Sequence, residues 1–392
     1  MRFNHTRALG ATALFALGLG LAYPASAADL GGNCCADLEE RVAELEATTA
    51  RKGNRKVSVT VYGQVNKAVV WHDLDVPSGI AKQTWGDGSV SPTAFGFMGE
   101  AKINAQLKAG FKLEFGVDET ASTLLLQQAI TVRESNVWIE SGMGRLTLGL
   151  APTATDGIAE IALSNTQVVA KMLNLEPVSS HFLTIPILGP LNLPFDGSRR
   201  EVLRYDSPSM GGIIVSASVG QGDRIGPIGL IGDSANAQVW DVAIRYAGEF
   251  GGFRVAAGLG YRHEDNNVLG PLTVRDSVLV GSGSVKHVGT GLFANAAYGR
   301  VNDEFGPGGP DLTGYHLQGG WEKNVTGLGG TTFFGEWMQV KIEGVSQSLD
   351  MYGAGVVQAV DAAALDLYAN WRRYEVDSFE VNVFTGGVRI RF

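Results

Sequence analysis

The chain is poor in charge and, beyond its first 27 residues, in long apolar runs. Only 18% of its 392 residues are charged, and 40 acids outnumber 31 lysines and arginines, for a formal net charge of −9. This acidity argues against a nucleic-acid partner, because phosphate backbones are bound by basic surfaces. The longest later apolar stretch, residues 182–195, contains three prolines, which a lipid-exposed helix does not tolerate. A helical membrane protein is therefore disfavoured as well.

Familiar catalytic motifs are also missing. The sequence contains no H-E-x-x-H, no G-x-S-x-G and no P-loop. His263, Glu264 and Asp265 resemble an acid/base or metal cluster, but they precede Asn266 and Asn267 at the end of a strand pattern. That context favours a hydrated outer loop. The sequence therefore predicts no catalytic residue, no metal site and no cofactor.

The first 27 residues have the pattern of a secretory signal peptide. Arg2 and Arg7 give a cationic start, residues 8–22 are apolar, and residues 25–27 are small. The apolar part falls short of the ~20 residues that span a bilayer. We expect cleavage after residue 27, which removes Arg2 and Arg7 and no acid, so the net charge of −9 becomes −11.

Residues 28–55 are predicted to form a short N-terminal helix or coiled-coil segment with a linker. Apolar residues at alternating three- and four-residue spacing form its seam: Cys35, Leu38, Val42 and Leu45. Two heptads are too short to be stable alone, so an oligomer and a solvated monomeric helix both remain open. Cys34 and Cys35 are the only cysteines, and a ring between neighbours is strained, so they either link chains or are incidental.

From residue 57 onward the hydrophobic pattern has period two. In VSVTVYGQV, valines alternate with polar residues, and in the C-terminal GGVRIRF, Val388, Ile390 and Phe392 oppose Arg389 and Arg391. Abundant glycine, 53 residues, accompanies a mean hydropathy near that of soluble proteins. This combination is typical of a transmembrane β-barrel, in which only alternate residues meet lipid.

The strand count predicts an all-β, antiparallel up-and-down barrel over residues 56–392. Short glycine-rich links such as 142–144, 209–212, 251–252, 289–291 and 326–330 alternate with longer polar stretches, and about sixteen strands fit the length. A soluble β-sandwich alternates too, but so many strands rarely remain an open sheet. The predicted signal peptide also directs the chain to the compartment in which outer-membrane barrels assemble.

Several stretches resemble the general diffusion porins of Gram-negative outer membranes, in the order found in that family. They are VTVYGQVN (59–66), FGFMGEAKINAQLKAGFKLEF (95–115), VWIESGMGRLTLG (137–149), LRYDSPSMGG (203–212) and GGVRIRF (386–392). The coil ahead of the barrel is similar to that of alphaproteobacterial porins. The resemblance implies a homotrimer in outer-membrane lipid and lipopolysaccharide, passing small hydrophilic solutes and ions by passive diffusion. It also implies that Phe392 is a signal read by the barrel-assembly machinery.

The resemblance further implies that a loop, here residues 150–199, folds inward and constricts the pore. Its acids Asp156 and Glu160 would face a basic cluster on the opposite wall. The candidates for that cluster are Lys102, Lys112, Arg133 and Arg204. Strand phase supports all except Arg133, whose phase is ambiguous and which rests on the resemblance alone. Because residues 182–195 are apolar, a less charged constriction is also compatible with the sequence.

Two other functions remain open. A substrate-specific channel would use residues 150–199 as its selector. A tethering protein would use the coil of residues 34–50 to link the outer membrane to the cell wall.

Overall fold

A computed structural model of the chain describes residues 57–73, 83–88, 90–118, 129–174, 195–221, 238–268, 272–302, 310–344, 346, 348–376 and 379–392. The predicted signal peptide, the coiled-coil seam, both cysteines and residues 182–194 lie outside these described residues, so those predictions stay predictions. Within the described ranges, no helix has the length and hydropathy needed to cross a membrane.

The described residues form seventeen β-strands and one short 3-10 turn. The first nine strands are β1 (Ser58–His72), β2 (Gln83–Asp87), β3 (Ala94–Lys102), β4 (Leu107–Asp118), β5 (Ala129–Ser141), β6 (Gly144–Pro152), β7 (Arg199–Asp206), β8 (Ile213–Gln221) and β9 (Gln238–Phe250). The rest are β10 (Phe253–Val268), β11 (Leu272–His287), β12 (Leu292–Asn302), β13 (Leu312–Lys323), β14 (Thr331–Ile342), β15 (Ser348–Val360), β16 (Leu365–Val376) and β17 (Phe379–Arg391), with the 3-10 turn at Asp361–Ala363.

These strands close into an antiparallel barrel with sixteen positions in its wall. From β3 to β17 each strand pairs with the next, and β1 closes the ring by pairing with both β17 and β3. The short β2 pairs with residues 67–71 of β1, and β3 pairs with residues 58–64, so β2 and β3 share one position. The predicted all-β barrel of about sixteen strands is confirmed.

The two ends of the barrel differ in their connections. At one end, which we call the turn end, the links are short: 103–106, 142–143, 207–212, 251–252, 288–291, 324–330 and 361–364. At the other, the loop end, the connections include 153–198 and 222–237, although β16 and β17 are joined by only residues 377–378. Short turns face the periplasm in such barrels, so the loop end faces outward.

Side chains alternate between the barrel's inner and outer faces as the sequence predicts. At the C-terminus, Val388 and Ile390 are exposed on the outer face, whereas the guanidinium groups of Arg389 and Arg391 lie 2.7 and 3.3 Å from the carboxylate of Asp366. The side chain of Asp366 is completely buried. The two arginines therefore stabilise the seam between the last strands from inside the barrel.

Phe392 lies on the outer face of the neighbouring seam, where β17 pairs with β1 and closes the barrel. Its backbone N–H donates to the carbonyl of Gly63 at 3.0 Å, and the N–H of Gly63 donates to the carbonyl of Phe392 at 3.0 Å. A Cβ on Gly63 would lie 2.6 Å from the ring of Phe392, so the aromatic side chain needs glycine beneath it. The role of Phe392 as an assembly signal stays a prediction.

Candidate channel and its inner wall

The segment that joins β6 to β7 is bound first by β9. Buried Asp241 accepts the backbone N–H groups of Ala154 at 3.1 Å and Thr155 at 2.7 Å. Arg245, four residues along the same face of β9, donates through Nη2 to the carbonyls of Ala154 at 2.8 Å and Asp156 at 2.7 Å. Since Trp240 and its alternate neighbours are exposed outward, Asp241 and Arg245 lie on the inner face, and the segment contacts that face.

Further along, the segment follows the inner face across β11 and β13 to β16. Ser284 on β11 accepts the N–H of Leu163 at 2.9 Å. Glu322 at the end of β13 accepts the N–H of Asn165 at 3.1 Å, and the side chain of Asn165 donates to Asp366 on β16 at 3.2 Å. Backbone groups of the segment are thus satisfied by wall side chains rather than by regular secondary structure.

The far part of the described segment, residues 170–174, is held by β13 and β16. The N–H of Leu173 donates to Nδ1 of His316 at 2.8 Å. Gln318 donates to the carbonyl of Ala170 at 3.3 Å, and Arg372 donates to the carbonyl of Asn174 at 3.3 Å. These contacts join the segment to wall strands far from its own ends at β6 and β7.

Phe195, where the described segment resumes, is completely buried against the inner face. A Cβ on Gly299 of β12 or on Gly314 of β13 would collide with its ring. Two strands therefore carry glycine where the aromatic ring approaches the wall most closely. Neither glycine can be interpreted from the sequence without knowing that Phe195 lies there.

A group of charged side chains lines the inner face on β4 to β10, and we call it the charged wall. Its members are Lys112, Glu114, Arg133, Glu134, Arg204, Asp206, Asp241, Arg245, Arg262 and Glu264. Lys112 lies 2.8 Å from Glu134 and 3.3 Å from Glu114, and Arg133 lies 2.8 Å from Glu114. The hydroxyl of Tyr62 donates to Glu114 at 2.9 Å. The structure therefore brings two predicted basic residues, Lys112 and Arg133, into one network with two acids.

The ambiguous phase of Arg133 has a structural cause. The β4–β5 register shifts between Glu114 and Phe115, where Glu114 pairs with Glu134 and Phe115 pairs with Val132. Arg133 is the extra residue of this β-bulge, so it and Glu134 both reach the inner-face network. A strict period of two cannot predict such an insertion.

Arg204 lies on the inner face as its phase predicts. Its Nη2 is 2.7 Å from Asp206, and its Nη1 donates to the carbonyls of Pro152 at 3.1 Å and Thr153 at 3.0 Å. Lys102, by contrast, is the last residue of β3, is exposed, and pairs in register with Lys108. It lies at the turn end, four residues along the strand from the level of Lys112, or ~13 Å.

The predicted loop acids have partners different from those expected. Glu160 lies 2.9 Å from Lys171 of the same segment. Asp156 is half-buried, and its backbone carbonyl, rather than its carboxylate, accepts the hydrogen bond from Arg245. A third acid, Asp196, accepts the N–H groups of Gly157 at 2.9 Å and Ala159 at 3.1 Å.

Asp196 has a strongly perturbed acidity. Burial, together with the nearby charges of Asp156 and Glu160, raises the pKa of its carboxyl to about 7, although its two backbone hydrogen bonds act in the opposite direction. Its backbone carbonyl accepts Nη1 of Arg262 at 2.7 Å. The charge of the segment therefore changes near neutral pH.

Sequence reasoning missed Asp241, Arg245 and Arg262, which contact the segment directly. A usable signal was present in QVWDVAIRY, where Asp241 and Arg245 alternate with apolar Trp240, Val242 and Ile244. The prediction of a hydrated outer loop at 263–265 was wrong. Those residues belong to β10, and Glu264 is buried between Arg200 at 3.7 Å and Arg262 at 3.9 Å.

The inner face between β11 and β1 is apolar towards the loop end, and we call it the apolar wall. Its buried residues are Val70, Val278, Val280, Val301, Leu312, Met338, Val340, Leu349, Met351, Tyr374, Val381 and Val383. Ile158, Met172 and Leu173 of the β6–β7 segment belong to the same buried cluster. Water is therefore excluded from this side of the barrel, and apolar packing holds the segment there.

A family model described as Gram-negative porin matches residues 10–389. The chain belongs to the Gram-negative porin family. Among solved structures it is similar to Vibrio cholerae OmpT in its trimer form, with a TM-score of 0.58 and 14% identity over 86% of this chain and 99% of that chain. It is also similar to an anion-selective porin from Comamonas acidovorans, with a TM-score of 0.57 and 14% identity over 86% of this chain and 100% of that chain. Salmonella typhi OmpF in complex with daunomycin is similar with a TM-score of 0.54 and 14% identity over 86% of this chain and 98% of that chain.

No curated protein matches the sequence. At these identities the structural likeness shows the fold, and the family match shows the role. This porin is an outer-membrane barrel with a channel role.

Proposed function

We propose that residues 150–199 narrow the channel and that solutes pass between this segment and the part of the charged wall on β4 and β5, around Lys112 and Arg133. The observation that carries the proposal is the set of hydrogen bonds from β9, β11, β13 and β16 to the backbone of residues 154–174. A segment fixed along one side of the lumen leaves the opposite side for water. That side carries Lys112 and Arg133, while Asp156 and Glu160 lie on the segment.

Opposed charges across a narrow lumen favour hydrated, dipolar solutes and disfavour apolar ones. Lys102 has no place in this constriction because it lies at the turn end. We propose Arg245 in its stead as a basic residue at the narrow point, since it already binds the carbonyl of Asp156. Asp156, Glu160, Lys112, Arg133 and Arg204 keep the constriction role as a proposal.

Single-channel conductance of the purified protein in a planar bilayer, with a salt gradient, tests this proposal. We expect stable openings and a reversal potential that shifts towards cations in Arg245→Gln. The matched control, Arg254→Gln, removes an arginine that is exposed next to the turn at 251–252 and pairs with Glu249 at 2.8 Å. Equal reversal potentials in the two variants would contradict a constriction at Arg245, and silence from folded protein would contradict the open channel.

A substrate-specific channel is the second candidate function, and the fixed position of the β6–β7 segment favours it, because wall side chains hold the backbone of this selector in place. The apolar wall itself is buried and does not meet solutes. Flux of one solute that saturates with concentration would support this function. Flux that rises linearly for every small solute would support general diffusion.

We propose a homotrimer with no catalytic activity. The similar Vibrio cholerae OmpT has a trimer form, and stepwise conductance in groups of three would support a trimer here. Outer-membrane lipid, lipopolysaccharide and the barrel-assembly machinery stay predicted partners. A link to the cell wall through residues 34–50 also stays a prediction, tested by deleting that stretch and measuring envelope stability and permeability separately.

A further inference from the structure

His316 lies on the inner face of β13 and is completely buried. Its Nδ1 accepts the N–H of Leu173 at 2.8 Å, and its Nε2 lies 3.2 Å from a carboxylate oxygen of Glu336. An imidazole nitrogen that accepts a backbone N–H carries no proton of its own. The tautomer is thereby fixed: Nε2 carries the proton and donates it to Glu336, and the ring is neutral.

The groups that face His316 favour a neutral ring with its proton on Nε2. Glu336 on β14 accepts a hydrogen bond from the Nε2–H group of His316. Arg372 on β16 donates to Glu336 through Nε at 2.8 Å and Nη2 at 3.2 Å. Tyr374 lies beyond Arg372 on the same strand, and from β13 Gln318 donates to Glu336 at 3.3 Å. The negative charge of Glu336 is already paired with Arg372.

The part of the segment that His316 holds is strained. Leu173 has a backbone φ of 50°, which is left-handed and rare for residues other than glycine. Such a conformation persists only while its surroundings impose it. The hydrogen bond to His316 and the burial of Leu173 in the apolar cluster are the contacts that do so among the described residues.

We propose that His316 is a pH-sensitive latch that holds residues 170–174 against the wall and releases them when its ring is protonated. This inference rests on the proposed role of residues 150–199 in the channel. A proton on Nδ1 would face the N–H of Leu173, so a hydrogen bond becomes a repulsive contact between two donors. Strain at Leu173 then drives its backbone away from β13.

The direction of the movement follows from packing. Among the described residues, β13, β14 and β16 fill the wall side of residues 170–174, so the released backbone moves away from these strands and towards the lumen. We therefore expect acidification to lower the single-channel conductance reversibly. Gln318 holds the carbonyl of Ala170 without titrating, so Gln318→Leu should lower conductance at every pH and retain the acid response.

The test compares wild type with His316→Asn from pH about 8 down to about 3, a range that extends well below the titration of an unperturbed histidine, because a completely buried site disfavours the charged ring. Asparagine keeps an acceptor for the N–H of Leu173 and has no proton to gain. We expect the acid-dependent fall in conductance in wild type and its loss in the variant. Asp196 titrates in both proteins, so the difference between them isolates His316. His263→Gln, on the outer face of β10, is the matched control and should retain the fall.

A second readout does not depend on conduction. Ala170 is 1% exposed, so Ala170→Cys, in a background with serine at positions 34 and 35, reports release through reaction with a water-soluble thiol reagent. Labelling that rises in acid, and does so only when His316 is present, supports the latch. Conductance and labelling that respond equally in wild type and His316→Asn would overturn it. An open channel without any acid response would also overturn it, while leaving the proposed channel intact.

Discussion

The charged wall and the apolar wall are built from the same strand pattern but are stabilised in opposite ways. On the charged wall, Lys112 and Arg133 remain partly open to the lumen, with side chains 30% and 26% exposed, and each pairs with an acid. On the apolar wall, Met338 and Met351 have no exposed surface. The charged wall therefore tolerates water, whereas the apolar wall depends on its exclusion, and the charges beside the apolar wall, Glu336 and Arg372, are buried as a pair.

This difference explains how one segment is both fixed and able to face water. Its apolar residues, such as Ile158 and Leu173, bury themselves against the apolar wall, which contributes ~1.5–3 kcal/mol for each large side chain. Its polar side, with Asp156 and Glu160, is half-exposed. The described part of the segment is amphipathic in the way a surface helix is, although residues 153–174 form no helix or strand.

The largest effect is expected when a charge is placed on the apolar wall. Met338→Lys puts an unpaired cation at a completely buried position, which should lower the free energy of unfolding by about 3–5 kcal/mol. Met98→Lys is the matched control. Met98 pairs in register with Lys112 in the β3–β4 ladder, so it shares the face of the charged wall, and it is 42% exposed. Thermal unfolding in detergent, followed by circular dichroism, should separate the two. Equal midpoints would mean that the two walls do not differ as described.

The next effect concerns the charges that lie at the turn end of β16 and β17. Asp366→Asn removes the carboxylate shared by Arg389 and Arg391, and we expect a loss of roughly 2 kcal/mol in unfolding free energy. Glu249→Gln breaks the exposed pair with Arg254 and should cost less than about 1 kcal/mol. An Asp366 variant as stable as the Glu249 variant would show that the seam does not depend on these arginines.

The barrel and the faces of most strands could be predicted from the sequence, because a period of two is local. Arg204 and Arg389 were assigned to the inner face in this way. Arg133 could not be assigned, since one inserted residue at the bulge reverses the phase.

The contacts of the segment were beyond local reasoning. Leu173 and His316 are 143 residues apart in sequence, and nothing near either residue indicates the other. The apolar wall was missed for another reason. A strand that is apolar on both faces reads as a continuous run, as at Val278, Leu279 and Val280, and loses the alternation that marks a lumen.

A charge reversal on the charged wall should change ion selectivity rather than stability. Arg133→Glu replaces a cation of the network with an anion beside Glu114, so we expect the reversal potential in a salt gradient to shift towards cations. Lys102→Glu makes the same change in charge at the exposed turn end of β3 and should give a smaller shift. A larger shift from Lys102 would place the selective part of the channel at the turn end instead.

The smallest effect is the pH dependence of selectivity that Asp196 adds. Its pKa of about 7 lies above the ordinary value of 3.8, so the carboxyl is neutral in acid and gains a negative charge as the pH rises through about 7. Its effect on the free energy of unfolding has the opposite pH dependence to that of an acid whose pKa is lowered by a salt bridge. The contribution to folding is fully present below the ordinary pKa and is lost as the pH rises to about 7.

We therefore expect the cation preference to rise between pH 6 and pH 8, with a midpoint at the pKa of about 7 for Asp196. Asp196→Asn keeps one acceptor oxygen for the N–H groups of Gly157 and Ala159 and removes the titration. Its reversal potential should stay at the low-pH value of wild type throughout this range. If the variant still titrates near neutral pH, the charge that matters lies on another group, and the segment contributes to selectivity only through its shape.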